Sequence, residues 1–157
     1  MHFQSTGVQP REVLFMFSSY LLLALGGALG TLARYGVVSA AGALPKTLPW
    51  GTIVVNIAGS FIIGFFGTLT LAHGRYPVSE NTRLFVMVGF CGGFTTFSSF
   101  SLQTLDLLRG GAIGRGIVNI LLSVALCLCA VAAGHFLASH LNGGTAQIAQ
   151  IAMEEES

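Results

Sequence analysis

The segment Gly89–Phe100, GFCGGFTTFSSF, decides how this chain is read. It lies inside a run without charge, Leu84–Leu105, yet it carries the hydroxyls of Thr95, Thr96, Ser98 and Ser99 and the glycines Gly89, Gly92 and Gly93. Glycine weakens a helix interior by about 1 kcal/mol relative to alanine. A helix that only anchors a chain in a bilayer has no use for such a stretch. Two readings of the glycines are open. They break the helix at Cys91-Gly92-Gly93 and free backbone carbonyls as ligands, or they let a neighbouring helix pack closely. Released backbone survives at membrane depth only where it is buried in protein or lines a cavity, and interrupted helices are where transporters commonly bind ions. Two such breaks meeting at a dimer axis would offer several carbonyl oxygens to a hard cation.

Phe97 and Phe100, three residues apart, share one face of the resumed helix. Aromatics at that spacing ordinarily face lipid or core. Here Thr96, Ser98, Ser99 and Ser101 surround them, and the positive edge of an aromatic ring can weakly solvate an anion.

Outward from this segment, the 157-residue chain is 53% hydrophobic and 8% charged, with a mean hydropathy of +0.77; soluble domains carry about 25% charged residues. Three further charge-free runs, Val13–Ala33, Thr47–Ala72 and Gly116–Gly134, are each close to the ~20 residues that cross a hydrocarbon core. The pattern predicts an all-α membrane protein with one four-helix domain over residues 15–138. Its spans are about 15–39, 50–72, 84–108 and 116–138. A lead-in, 1–14, precedes it, and a polar tail, 139–157, ends in Glu154-Glu155-Glu156. The first run is too long for the apolar region of a cleaved signal and is followed by Arg34 rather than a cleavage site.

Four spans place Arg11, Arg75 and Arg83 on one side and Arg34, Lys46, Arg109 and Arg115 on the other. Orientation follows an excess of Lys and Arg on one side, so this near tie leaves the insertion direction unspecified and would suit an antiparallel homodimer. A net charge of +1 offers no footprint for nucleic acid. Cys91, Cys127 and Cys129 all fall inside spans and read as small apolar residues, with no disulfide framework or thiolate metal site. No His, carboxylate or Cys cluster has a spacing usable by an enzyme.

In the first span GGALG superficially matches a dinucleotide-binding fingerprint, which requires a preceding strand; inside an apolar helix Gly26 and Gly30 instead form a small face for close packing. Arg34, near the span's end, is either an interface anchor that snorkels to water or a functional charge, partnering backbone carbonyls or attracting anions at a pore mouth. Trp50 anchors the second span at the interface. Thr52, Asn56 and Ser60 recur every four residues, with Gly64 continuing the stripe. Asn56 is interhelical glue or a pore-lining donor. Asn119, Ser123 and Cys127 make a second stripe that loses polarity at Val131, read as helix-packing glue or as a polar track. His73 and His135 read as interfacial rather than as proton relays.

These residues carry a resemblance. GGALGTLARY (Gly26–Tyr35), GTIVVNIAGSFIIGF (Gly51–Phe65) and GFCGGFTTFSSFSLQ (Gly89–Gln103) resemble, in order and register, three signature segments of the Fluc/CrcB fluoride channel family. The resemblance implies four-helix subunits with a broken third helix, paired as antiparallel dual-topology homodimers in the bacterial inner membrane. Such channels export fluoride passively and relieve its toxicity. It also implies a pore asparagine at Asn56, a phenylalanine box at Phe97 and Phe100, the first-helix arginine at Arg34 and a polar track at Asn119 and Ser123. A structural sodium ion, not transported, would sit at the dimer centre on the carbonyls of Gly92 and Thr95. Cys127 stands where a hydroxyl can occur in the family.

Fluoride is small and strongly hydrated, so a selective path must replace water with donors without trapping the ion; Asn56, Thr96, Ser99 and Ser123 can supply them. The rival reading is a small dual-topology exporter of drugs or other cations. Proton-coupled exchange would require a carboxylate within the membrane, whereas Glu12, Glu80 and Asp106 all lie near span ends. A non-transporting scaffold would leave the polar stripes unexplained.

Overall fold

The computed structural model describes residues 10–71, 75–144 and 153, with side chains from Met16 onward. His73, most of the expected lead-in and the acidic end of the tail lie outside the described residues. Four helical segments are long and apolar enough to cross a membrane, ending near Ala43, Leu69, Arg109 and Leu141. Helix α1, Pro10–Ala40, gives way to a short 3-10 turn, Ala41–Ala43, ahead of Pro45. Helix α2 is Trp50–Leu69. The third span is composite: α3, Glu80–Arg83, a π-helical stretch Leu84–Phe90, α4, Cys91–Phe94, and α5, Phe97–Arg109. Helix α6, Ile113–Leu141, follows a turn at Gly111, whose φ of 78° suits glycine. Helices α1, α6 and the third span overrun the expected 15–39, 116–138 and 84–108 because a helix need not stop at the interface.

The third helix is broken, but not where its glycines suggested. Cys91–Phe94 is helical, and the chain leaves the helix at Thr95 (φ −85°, ψ 163°) and Thr96 (φ −157°, ψ 108°). Glycine lowers helix propensity without ending a helix, whereas threonine hydroxyls compete directly for backbone partners. Thr95 Oγ1 donates to the Cys91 carbonyl at 2.9 Å. Thr96 Oγ1 accepts from the Ser99 amide at 3.1 Å and so caps α5. The extended pair between these caps is two residues long.

The glycines do the other job. A side chain on Gly26 would run into the Phe85 carbonyl and Gly89, one on Gly30 into the Phe90 carbonyl, and one on Gly93 into Gly27. Helix α1 therefore lies backbone to backbone against the π-helical stretch and α4, the small-residue packing that substitutes for hydrophobic drive in lipid. The α2–α6 pair is drawn together the same way, Gly134 against the Phe61 carbonyl and Gly64 against the Val131 carbonyl.

Buried residues are correspondingly few and often polar: Thr52, Thr104, Asn119 and Ser123 are inside with Ile53, Val55 and Phe94, while Phe17, Leu21, Leu25, Leu29 and Leu32 are exposed on α1. Apolar side chains cost nothing against lipid. The C-terminal carbonyls of α2 are closed by distant side chains. Arg83 Nη1 donates to the carbonyls of Gly67 (3.2 Å) and Thr70 (2.6 Å), and Asn142 Nδ2 to those of Thr68 (2.9 Å) and Leu69 (3.2 Å). A cation at this end also complements the helix dipole.

Gly30→Val should therefore separate α1 from the third span, since overpacking costs about 1–3 kcal/mol, and lower the melting temperature of the protein in detergent. Gly36→Ala, where nothing lies within 4 Å of the added carbon, should leave it unchanged. Equal melting temperatures for the two variants would contradict the packing described.

Candidate functional site

Asn56 sits on α2 opposite the break, and its carboxamide makes two bonds to one residue. The Thr96 amide donates to Asn56 Oδ1 at 2.8 Å, and Asn56 Nδ2 donates to the Thr96 carbonyl at 3.2 Å. The side chain thus stands in for a neighbouring strand and bonds both backbone groups of Thr96, the second residue of the extended pair. A carboxamide nitrogen carries two donors, so one N–H remains. Gly59, one turn along α2, leaves the space into which the Thr95 methyl fits.

The same substitution of side chain for backbone frees two carbonyls. In a continuous helix the Thr96 amide would bond the Gly92 carbonyl and the Ser99 amide the Thr95 carbonyl. They are given instead to Asn56 Oδ1 and Thr96 Oγ1. The Thr95 carbonyl accepts from Arg34 Nη1 at 3.4 Å, which uses one of its two lone pairs. Gly92 is exposed, and nothing lies within 4 Å of where its side chain would begin.

A cavity of about 360 Å³ opens beside the break. Asn56, Gly92, Thr95, Thr96, Phe97, Phe100 and Ser123 all line it. Seven of the residues singled out in the sequence thus meet at one place, from α2, both halves of the third span and α6. Cys91, Met87, Ser60 and Cys127 complete much of the wall. The rings of Phe97 and Phe100 are 5.4 Å apart between centroids and tilted by 49°. Ser123 Oγ is buried with no protein partner among the described residues.

Ser99, Arg34 and Asn119 lie off the cavity. Ser99 is part of the cap, its Oγ accepting from Thr96 Oγ1 at 3.0 Å. Arg34 is on the far side of the Thr95 carbonyl, a carbonyl partner as one of its two readings had it. Asn119 is fully buried between α6 and α5. There its Nδ2 donates to Thr104 Oγ1 at 2.8 Å, and that hydroxyl donates to the Phe100 carbonyl at 2.7 Å. Asn119 therefore braces the helix that carries Phe100.

Arg83, Asn142 and Thr104 were not singled out in the sequence. Their partners are on other helices, and spacing along their own helix carries no trace of the contact. Among the described residues no group of three His, Cys, Asp or Glu could hold a metal ion. The cavity wall carries amide, hydroxyl and aromatic side chains and no Asp, Glu, Lys or Arg.

A profile described as "CrcB-like protein, Camphor Resistance (CrcB)" matches residues 21–135, most of the chain. The chain belongs to the CrcB family. The match to the CrcB family covers every residue of the cavity wall. Among similar proteins, one from Methylobacterium radiotolerans is 63% identical over 140 residues, 89% of this chain and 98% of the relative. One from Gluconobacter oxydans is 62% identical over 142 residues, 90% and 99%. One from Rhodospirillum rubrum is 50% identical over 129 residues, 80% and 98%. All three bear the name fluoride-specific ion channel FluC. This chain is thus a multi-pass membrane protein of the CrcB family.

Asn56→Leu should leave both polar groups of Thr96 unpaired, at about 1–3 kcal/mol each. Thermal melts in detergent should show a drop of that size. A variant as stable as the parent would remove Asn56 from its place as the support of the break.

Proposed function

We propose that this chain is a fluoride-selective channel through which fluoride leaves the cytoplasm passively, lowering its toxicity, in the bacterial inner membrane. The observation that carries the proposal is the cavity at the break, where the Asn56 amide, the Ser123 hydroxyl and the Phe97 and Phe100 rings converge beside Thr96 without a charged group. The names of the similar proteins point the same way.

Donors that replace water one or two at a time suit a small, strongly hydrated anion, and the absence of Lys or Arg from the wall keeps the ion from being held. The aromatic edges contribute a weak positive potential where no hydroxyl reaches. A cation exporter driven by proton exchange would require a carboxylate at membrane depth; none of the cavity-lining residues is acidic.

The working unit is proposed to be an antiparallel, dual-topology homodimer. The near tie in Lys and Arg on the two sides supports it. So does Phe97, which lines the pathway yet is 78% exposed, so that one chain by itself leaves its wall open. A structural sodium ion, not transported, is proposed at the dimer centre. The chemistry of the donor set fits, because the Gly92 and Thr95 carbonyls are the two whose helical donors are diverted to side chains, and hard cations take oxygen ligands. One chain supplies two oxygens, so two copies are required for a full shell. When bound, the ion would supply fixed positive charge beside the break and tie the two broken helices together.

The test is efflux from liposomes containing the purified protein, with fluoride or chloride inside and a membrane potential imposed. Voltage-driven fluoride release without chloride release is expected, suppressed by Phe97→Ile or Phe100→Ile with assembly intact. Replacing sodium by a bulky organic cation throughout should dissociate or destabilise the dimer. Equal leak of both anions, or no fluoride release, would refute the channel; a dimer indifferent to sodium would refute the cation site.

A further inference from the structure

A separate cavity, of about 400 Å³, lies where the loop into α2 meets the turn from α5 to α6. None of its lining residues borders the cavity at the break. On this side of the molecule the third span ends at Arg109, and the second and fourth begin at Trp50 and Ile113. Tryptophan at a span end marks the headgroup level of a bilayer. The cavity is thus set at the depth of lipid headgroups rather than of their chains.

Its wall holds two kinds of polar group. Lys46 and Arg115 bring cationic donors, and α6 opens beside them. Ala112, at the start of that helix, provides no side-chain cap, and the first helical bond is the one from the Gly116 amide to the Ala112 carbonyl at 3.0 Å. The amides of Ile113, Gly114 and Arg115 therefore have no helical partner, and this end of α6 carries partial positive charge. The same wall holds acceptors. Asp106 lines it, and so does Gln103, whose Oε1 is buried with no hydrogen-bond partner among the described residues. A buried oxygen left so is costly unless something outside the chain donates to it. Among the described residues Asp106 forms no ion pair with Lys46 or Arg115, and all three are exposed. Two cations stand against one carboxylate, so the wall is net positive.

We propose that this cavity binds the headgroup of an acidic phospholipid that bears hydroxyls, phosphatidylglycerol. Its phosphate is held by Lys46, Arg115 and the start of α6, and its hydroxyls donate to Asp106 and Gln103 Oε1. The single negative charge of the phosphodiester offsets the excess positive charge of the wall, and the glycerol brings the donors that a bare phosphate lacks. Leu48 and Leu107, also in the wall, give the first carbons of the lipid an apolar surface. Phosphatidylethanolamine offers donors as well, but its own ammonium cancels its phosphate and leaves the cationic wall uncompensated. A headgroup held here ties the loop that leads into α2, the helix of Asn56, to the end of α5, the helix of Phe97 and Phe100.

The test titrates the full chain, purified and delipidated in detergent, with phosphatidylglycerol, with phosphatidylethanolamine and with glycerol phosphate. Bound lipid is read by native mass spectrometry and stability by thermal melting. Phosphatidylglycerol should stay bound and raise the melting temperature, and the other two should do neither. Lys46→Gln and Arg115→Gln should each weaken its retention roughly fivefold, the usual worth of one basic side chain against an anionic lipid, with the difference shrinking as salt screens these exposed charges. Arg109→Gln, at a span end but outside the cavity wall, should retain the lipid as the parent does. If either cavity substitution prevents folding, the comparison of ligands on the parent protein decides alone. Equal stabilisation by the two phospholipids, or retention that falls as far in Arg109→Gln as in Lys46→Gln, would overturn the site. Stabilisation by glycerol phosphate as large as that by phosphatidylglycerol would make the ligand a free phosphate and overturn the lipid. None of these readouts depends on fluoride flux.

Discussion

Two hydrogen bonds between the Asn56 carboxamide and the backbone of Thr96 are what the site depends on. A residue that leaves its helix inside a bilayer exposes an amide and a carbonyl to a medium with no partners, at a cost of several kcal/mol. The carboxamide is the one neutral side chain that offers a donor and an acceptor side by side, and it meets both needs at once. Once Thr96 is held, its hydroxyl is positioned to cap α5. The aromatic pair follows in the next turn, and the Gly92 and Thr95 carbonyls lose their helical donors. Cavity wall and candidate ligand oxygens thus have one cause.

That interaction is possible only because the helices come close. In water such approach is driven by burial of apolar side chains; here most of those side chains face outward, and glycine, hydroxyls and amides join a few apolar residues such as Ile53, Val55 and Phe94 inside. Glycine removes the side chain that would hold two backbones apart, as at Gly30 and Gly93 on one side of the third span and Gly59 beside Thr95. The buried amides and hydroxyls then fix register: Asn119 through Thr104 to Phe100, Thr68 to His135. Packing by small residues brings the surfaces together, and directional bonds select the arrangement.

Much of this was legible in the chain. Four spans follow from runs without charge, the α1 packing face from Gly26 and Gly30, and the cavity wall from four-residue stripes on α2 and α6. The position of the break was not. Glycine marks where a helix is weak, but Gly92 and Gly93 are kept helical by α1 packing against Gly93, and the chain departs where Thr95 and Thr96 can satisfy themselves locally. That outcome is decided by a residue on another helix, 40 positions away. Arg83 and Asn142 were opaque for the same reason. Each closes carbonyls of α2 from 13 or more positions away, and neither lies on a stripe. The resemblance puts Asn119 on a polar track with Ser123, whereas its spacing left helix-packing glue open; in the structure its side chain bonds Thr104 on α5.

The site rests on the extended pair at Thr95 and Thr96. Solid-state NMR of isotopically labelled protein in lipid reads it directly through backbone carbon shifts. Extended-chain shifts at Thr95 and Thr96 are expected between helical shifts at Cys91–Phe94 and Phe97–Arg109, with a cross-peak linking the Thr96 amide to the Asn56 side chain. Helical shifts running without interruption from Cys91 through Ser99 would contradict it.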